Sequence, residues 1–388
     1  MKIFHIMICF CVILTAMAVP VSCYAAVKTR ESMGFSGNVK SVTIKCYEDE
    51  IYYRFDSDGH LVQVYDERGR YPEERLYVYE KGRLVADYYK WAYRDLHLYT
   101  YDDEGRLSTK ITHRSLPYLT FAPDGKVYYA TPSSNPRLEE ADLNEIIETY
   151  RKSEECYSME SFTYNTLGQL KRSVNKIYNY SPMSRAALYG HQNVDTTETA
   201  YQYDRQGRLI KDESREKCFL PNVRKLIYQY DSDGRLTYEK YISKDLRKDG
   251  LFGGMTIHTR HFRSSDGRLV KTWEYRDGDR DSLEVTEYVY DDGRLKEKWE
   301  FDLCLDPDFC GWKQDGYLES PNGKYVALRG KRDLSLYTYD DNGNIDAIER
   351  RLLRLRNGMT APDDFREIDR SYFEIEEEPS FIEYEYTY

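Results

Sequence analysis

The sequence predicts an all-β chain: an antiparallel meander of consecutive hairpins in a strongly curved sheet, a partial barrel or spiral, with one short packed helix. Three observations predict it. Tyrosine accounts for 39 of 388 residues, and Tyr favours strands. A Tyr-x-Tyr phrase running into an acidic, glycine-containing turn recurs along the chain. Around each copy polar and apolar residues alternate, as half-buried strands require, in a chain whose mean hydropathy is −0.76.

The phrase reads YTYDDEGRL from Tyr99, YQYDRQGRL from Tyr201 and YQYDSDGRL from Tyr228, with shortened forms from Tyr77 and Tyr288. Looser copies start at Tyr53, Phe162, Phe262 and Tyr337, and FAPDGKV from Phe121 is a weaker member. Each residue type has a local task. Tyr-x-Tyr puts two rings on one strand face. Asp accepts a backbone hydrogen bond that starts a turn, and Gly supplies the positive φ of a tight loop. The turn glycines are Gly59, Gly82, Gly105, Gly168, Gly207, Gly234, Gly267, Gly293 and Gly343. The first three are 23 residues apart, a repeat architecture. About ten such turns imply roughly twenty strands, and open sheets beyond about ten strands curl, split or flatten.

Arg83, Arg106, Arg208, Arg235, Arg268 and Arg294 each follow a turn glycine. A guanidinium there is placed to lie over a tyrosine of a neighbouring strand, a contact worth roughly 0.5–1 kcal/mol. The expected outcome is a structural ladder, with exposed Tyr rows as a sugar or peptide platform the sharper alternative. Tyr is expected on one face, and the turn-following Leu84, Leu107, Leu209, Leu236, Leu269 and Leu295 together on the other.

One segment breaks the repeat. Leu143, Ile146, Ile147 and Tyr150 form a helical stripe, so a helix is expected over 138–152, capped by Ser134 or Asn135 and with Pro136 in its first turn. Its expected task is to cover apolar sheet surface.

Residues 1–22 read as a signal peptide, with Lys2 before an apolar run. Cleavage is expected either at 22/23, leaving Cys23 as a lipidated first residue, or at 25/26. Residues 23–33 form a short linker and 34–388 a single β domain. Eight cysteines are present. Cys304 and Cys310 are close enough in sequence to be a disulfide candidate, which spacing alone does not establish.

The net charge is −11, or −12 without Lys2. No basic footprint for nucleic acid exists. No nucleophile elbow, phosphate loop or His-Glu-x-x-His occurs. Asp56-Ser57-Asp58-Gly59 has its glycine too early for a calcium loop. His258 and His261, three apart on a strand, point to opposite faces. No cofactor, metal site or catalytic residue is nominated.

The phrase Tyr-x-Tyr-Asp-x-x-Gly-Arg-Leu resembles the YD repeat of the Rhs and teneurin families. Gly34-Phe35-Ser36-Gly37-Asn38-Val39 and the closing YTYDDNGNIDAIERR are similar to small exported YD-repeat proteins of Bacteroidetes, except that Ile345-Asp346 replaces the usual Trp-Thr. Large Rhs proteins wrap a toxin and self-cleave at an Asp-Pro-x-Gly element. Asp306-Pro307-Asp308-Phe309 lacks that glycine, so a cargo shell is disfavoured. The resemblance implies a non-enzymatic exported protein of the cell envelope, or a secreted one, with a binding or scaffold surface for a glycan, peptide or envelope partner. Membrane attachment enters only through Cys23. The alternatives are a carbohydrate-active enzyme with unmarked carboxylates and a toxin-system component.

Overall fold

The computed structural model describes residues 28–388 except 47–48, 68–72, 91–93, 115–117, 122–126, 131–137, 141, 154–155, 179–193, 218–221, 246–253, 278–281, 305–316, 320–324, 357–358, 361–366, 376–378 and 388. Cys23 and Cys310, and hence the lipidation and disulfide candidates, lie outside the described residues. The chain divides into two compact units. Unit 1 holds residues 1–200, 216–219 and 385–388, and unit 2 holds 201–215 and 220–384.

Unit 1 is an antiparallel meander. It runs through β1 (Ser41–Cys46), β2 (Asp49–Phe55), β3 (Leu61–Asp66), β4 (Glu73–Glu80), β5 (Arg83–Lys90), β6 (Arg94–Tyr101) and β7 (Leu107–Arg114). An excursion then forms its own small sheet, β8 (Tyr118–Phe121), β9 (Val127–Ala130) and β10 (Leu138–Glu140), followed by α1 (Leu143–Arg151). The weak phrase member at Phe121 is the β8–β9 hairpin, outside the main sheet. The meander resumes with β11 (Ser158–Tyr164), which pairs with β7, and continues through β12 (Leu170–Tyr178) into β13 (Val194–Tyr203).

Unit 2 continues with β14 (Leu209–Lys217), β15 (Asn222–Tyr230), β16 (Leu236–Asp245), β17 (Met255–Arg263), β18 (Leu269–Asp277), β19 (Ser282–Asp291) and β20 (Arg294–Cys304). Then come β21 (Tyr317–Glu319), β22 (Tyr325–Tyr339), β23 (Ile345–Leu355), β24 (Phe373–Ile375) and β25 (Ser380–Thr387). Among the described residues no helix is long and apolar enough to cross a membrane, which says nothing of strands.

Phrase length selects the turn. In the full phrase Gly105 N–H donates to Asp102 O at 2.9 Å, Asp102 N–H donates to Arg106 O, and the ladder slips register between Thr100 and Tyr101. This is a three-residue loop whose third residue is a left-handed glycine, followed by a bulge in the return strand. In the two shortened phrases Lys81 and Gly82 have φ +49° and +73°, and Asp292 and Gly293 +46° and +80°. Those are two-residue loops with both residues left-handed. All nine phrase glycines have φ between +73° and +88°.

The bulge changes a face. Tyr99 pairs with Lys110 and Thr100 with Thr109, but Tyr101 then pairs with Leu107, leaving Ser108 as the extra residue. An extra residue inverts side-chain parity. Leu107 therefore joins both tyrosines on one face instead of opposing them, and the same slip recurs just after Leu84, Leu236, Leu269 and Leu295. Of the six turn-following leucines four are buried, and Leu269 and Leu295 are half-buried.

Both faces of β4, β5 and β6 carry buried residues. On the back face, away from the tyrosines, Leu76, Ala86, Tyr88, Leu96 and Leu98 form a core closed by Ile147, with Leu143, Ile146 and Tyr150 packed on it. The helix differs from expectation at its start. Leu138–Glu140 finds strand partners in Tyr128–Ala130, so it extends instead of coiling. Asp142 is the N-cap, accepting from Asn144 N–H at 2.8 Å, and the proposed caps Ser134 and Asn135 lie outside the described residues. Unit 2 has its own back-face core, with Trp273, Val285, Phe301 and Leu334 packed under Ile368 and Phe373.

Candidate functional site

The phrase arginines and tyrosines interlock from hairpin to hairpin. The guanidinium carbon of Arg83 lies 5.6 Å from the centre of the Tyr101 ring, Arg106 4.7 Å from Tyr164, Arg208 4.9 Å from Tyr230, Arg268 5.3 Å from Tyr290 and Arg294 5.4 Å from Tyr339. The second tyrosine also hydrogen-bonds the leucine beside that arginine. Tyr101 donates to Leu84 O at 2.6 Å, Tyr164 to Leu107 O at 2.8 Å, Tyr230 to Leu209 O at 2.7 Å and Tyr339 to Leu295 O at 2.7 Å. At the first turn His60 replaces Arg and stacks on Tyr79, with ring centres 4.8 Å apart. Ahead of that turn Arg30 fills the arginine place beneath Gly59, and its N–H donates to Gly59 O at 2.9 Å. The start of the described chain thus supplies the first rung.

Six of the seven first tyrosines are buried, and Tyr228 is half-buried. Tyr53, Tyr77, Tyr99, Tyr201, Tyr288 and Tyr337 are each 9% exposed or less, which removes them as a flat platform for sugars. In three copies the first ring meets an acid three residues after the preceding leucine. Tyr99 donates to Asp87 at 2.5 Å and Tyr228 to Asp212 at 2.9 Å, while His261, in the same place in its phrase, contacts Glu239 at 2.9 Å. Nothing in the turn phrase announces these acids. They become visible only when the copies ending in Leu84, Leu209 and Leu236 are extended past the leucine and aligned with the next.

Asp87 is the centre of the most charged of these groups. His97 Nδ1 is 3.0 Å from one carboxylate oxygen and Arg75 Nε 3.6 Å. Burial alone would raise this carboxyl; the His97 hydrogen bond and charge, Arg75 and the Tyr99 hydroxyl outweigh it and hold the pKa at about 2. Burial and the Asp87 charge push the Tyr99 hydroxyl far upward. Burial lowers Lys28 and Lys110 beside them, with the Arg75 charge adding to it. On the tyrosine face of unit 2 the buried pair Lys298–Glu300 meets at 2.9 Å.

One hairpin lacks the ladder's ring. Between β17 and β18, Arg263 stands where the other phrases carry their second aromatic residue, and Ser264 where they carry Asp, Asn or Glu. The Arg235 guanidinium lies against Gly267, with no ring at that phrase position to cover it. Beside this turn is a cleft of about 500 Å³, lined by Ser264, Asp266, Arg268, Glu287, Tyr290 and Arg370 among others. Its acids are engaged. The Arg268 hydrogen bond, then Ser264 Oγ, hold Asp266 well below the usual carboxylate range, and Glu287 takes Lys271 Nζ at 3.0 Å. Asp369, also in the lining, accepts from Ser371 N–H at 2.9 Å. Arg370 is held loosely: its nearest acid among the described residues, Glu297, is 3.8 Å away, and its side chain is 48% exposed. The sequence signal was the departure of FRSSDGRL from the phrase.

Other sequence candidates are placed as follows. Asp56 accepts from His60 N–H at 2.8 Å and from its ring, so it serves the turn. His258 meets the Tyr238 hydroxyl and His261 meets Glu239, on different faces of β17. Among the described residues no group of three His, Cys, Asp or Glu is arranged for a metal. Neither Cys46 nor Cys156 is in a disulfide.

No family model and no curated protein matches the chain. Two solved structures are similar to it at low levels. The crystal structure of TcdB2–TccC3 matches at 12% identity and TM-score 0.19 over 78% of this chain, which spans 18% of that one. A porin-like protein from Bacteroides uniformis matches at 10% identity and TM-score 0.23, over 91% of this chain and 99% of that one.

Proposed function

We propose that the chain is a non-enzymatic, exported YD-repeat protein of the cell envelope whose repeats are scaffold and whose cleft at the broken rung binds a glycan. The observation that carries this reading is the coincidence of the one phrase lacking its second aromatic with a ligand-sized cleft. In five rungs the repeat's Arg and Tyr groups are occupied by one another, so the ladder is architecture. At β17–β18 the rung of Arg235 lacks its ring, and the cleft beside that turn offers sugar hydroxyls charged donors and paired acceptors, with the Tyr290 ring shared with Arg268. Small-molecule sites of a few hundred Å³ are typical.

Hydrolysis is the rival for this cleft. A glycosidase requires one carboxyl kept protonated by its surroundings. Arg268 pushes Asp266 the opposite way, which favours binding over cleavage. Export and envelope location rest on the N-terminal apolar run and on the resemblance to small exported YD-repeat proteins. Attachment would be through Cys23, and N-terminal sequencing of material from the membrane fraction tests it.

The test of the cleft is a glycan array with the full chain, the Arg370→Ala variant and the Ser264→Asp variant. Binding of a defined glycan class that is lost in Arg370→Ala and weakened in Ser264→Asp supports the proposal. Absence of binding to any glycan, or release of reducing ends from a bound one, overturns it.

A further inference from the structure

A second cleft lies in unit 1, on the face of β1 and β2 opposite Tyr53. It has a volume of about 430 Å³ and its lining includes Asn38, Lys40, Ser41, Tyr52, Arg54 and Asp56. Its charge balance differs from that of the first. Asp56 is the one acid in the lining, and its carboxylate is committed to the His60 N–H and ring. Among the described residues neither Lys40 nor Arg54 pairs with an acid. Arg54 is half-buried, and its Nε is shielded from solvent with no hydrogen-bond acceptor. An unsatisfied buried donor costs about 1–3 kcal/mol, more when charged, so the position calls for an acceptor.

The remaining lining supplies donors. Asn38 spends its oxygen on Arg30 Nη1 at 2.7 Å, which leaves its amide hydrogens available. Ser41 and, beside Asp56, Ser57 add hydroxyls at the rim. The half-buried Tyr52, on the same face as Arg54, provides ring surface. The cradle is therefore two cations, an amide, two hydroxyls and an aromatic wall around an unfilled acceptor position. It is set in a chain whose net charge of −11 gives no general attraction for anions.

We propose that this cleft binds an oxyanion, with Arg54 and Lys40 as its charged donors. A guanidinium fork meets two oxygens of a phosphate, sulfate or carboxylate at once, and a neighbouring ammonium adds a point charge. The ring wall suits an oxyanion carried on a sugar. The site is separate from the glycan cleft, and neither proposal depends on the other.

The experiment is calorimetric titration of the full chain with inorganic phosphate, sulfate, glucose 6-phosphate and glucose, at ionic strength held constant with sodium chloride. Saturable binding of at least one anion is expected, with none of glucose alone. Lys40→Gln, at an exposed position, should weaken it about tenfold, the loss of one charge-assisted contact of roughly 1.4 kcal/mol. Arg54→Gln should weaken it at least as much. Tighter binding of glucose 6-phosphate than of phosphate assigns a sugar-borne group, and equal binding assigns the anion alone. No saturable binding, or binding that Lys40→Gln leaves unchanged, overturns the proposal. Because Lys40 is exposed, its variant reads out the site even if Arg54→Gln fails to fold.

Discussion

Tyr230 donates its hydroxyl to the Leu209 carbonyl at 2.7 Å, across 21 residues of chain, while Arg208 beside that leucine lies 4.9 Å from the centre of the same ring. One side chain thus joins two successive hairpins by a hydrogen bond and a cation–π contact together. Tyr230→Phe keeps the ring and removes the bond. It should cost about 1 kcal/mol, measured by chemical denaturation, and Tyr230→Ala should cost more. Equal stability of the parent and the Phe variant would show that the bond contributes nothing.

Glycine substitutions should rank by what surrounds each turn. Gly234 has φ +81°, and Gly234→Val should destabilise by at least about 1 kcal/mol because a β-branched residue is strained there. Gly105 and Gly82 are both left-handed, at +79° and +73°. An added Cβ at Gly105 runs into the Arg83 guanidinium, whereas at Gly82 nothing lies within 4 Å. Gly105→Ala should therefore melt at a lower temperature than Gly82→Ala, and the reverse order would refute the packing of Arg83 beneath that turn.

Restoring the broken rung should stabilise the chain. Arg263→Tyr places a ring where Arg235 lacks one, worth roughly 0.5–1 kcal/mol. Against this stands the Arg263 hydrogen bond to Gly267 O at 3.2 Å, an exposed contact of small value. The expected outcome is a higher melting temperature, and a fall would mean that Arg263 is itself the better partner.

Asp87 should impose a pH dependence. Its folded pKa of about 2 is below the ordinary value of about 3.9 for an unfolded aspartate. The carboxylate therefore contributes fully above about pH 4, and its contribution is lost as pH falls towards 2. Asp87→Asn should be less stable at neutral pH, by about 2 kcal/mol. Its stability should also change less between pH 4 and pH 2 than that of the parent. Parallel pH profiles for the two proteins would show that the network around His97 and Arg75 does not depend on the charge.

How far the sequence reaches is clearest at single hairpins. Tyr-x-Tyr, the acidic residue and the glycine act within nine residues, so the strand, the turn and the return strand follow from local geometry alone. The Arg–Tyr contact was also legible, because both groups recur at constant offsets from the turn. The face of Leu107 was not. Period-two alternation places it opposite Tyr99, and one bulged residue, Ser108, reverses that parity in a way that composition does not mark. The start of α1 was misplaced for a related reason: Leu138–Glu140 has a helix-compatible sequence but finds a strand partner in β9.

What the sequence determined by itself is the hairpin unit and its repetition, since turn chemistry and side-chain alternation act between neighbours in the chain. Only the tertiary structure decided which groups meet across hairpins. Tyr99 reaches Asp87, Arg106 reaches Tyr164 past the whole β8–α1 excursion, and Arg54 is left with a shielded nitrogen and no acceptor. Those outcomes depend on register and on what covers each face. Both are set by packing between distant segments, where a single extra residue moves a side chain from one surface of the sheet to the other.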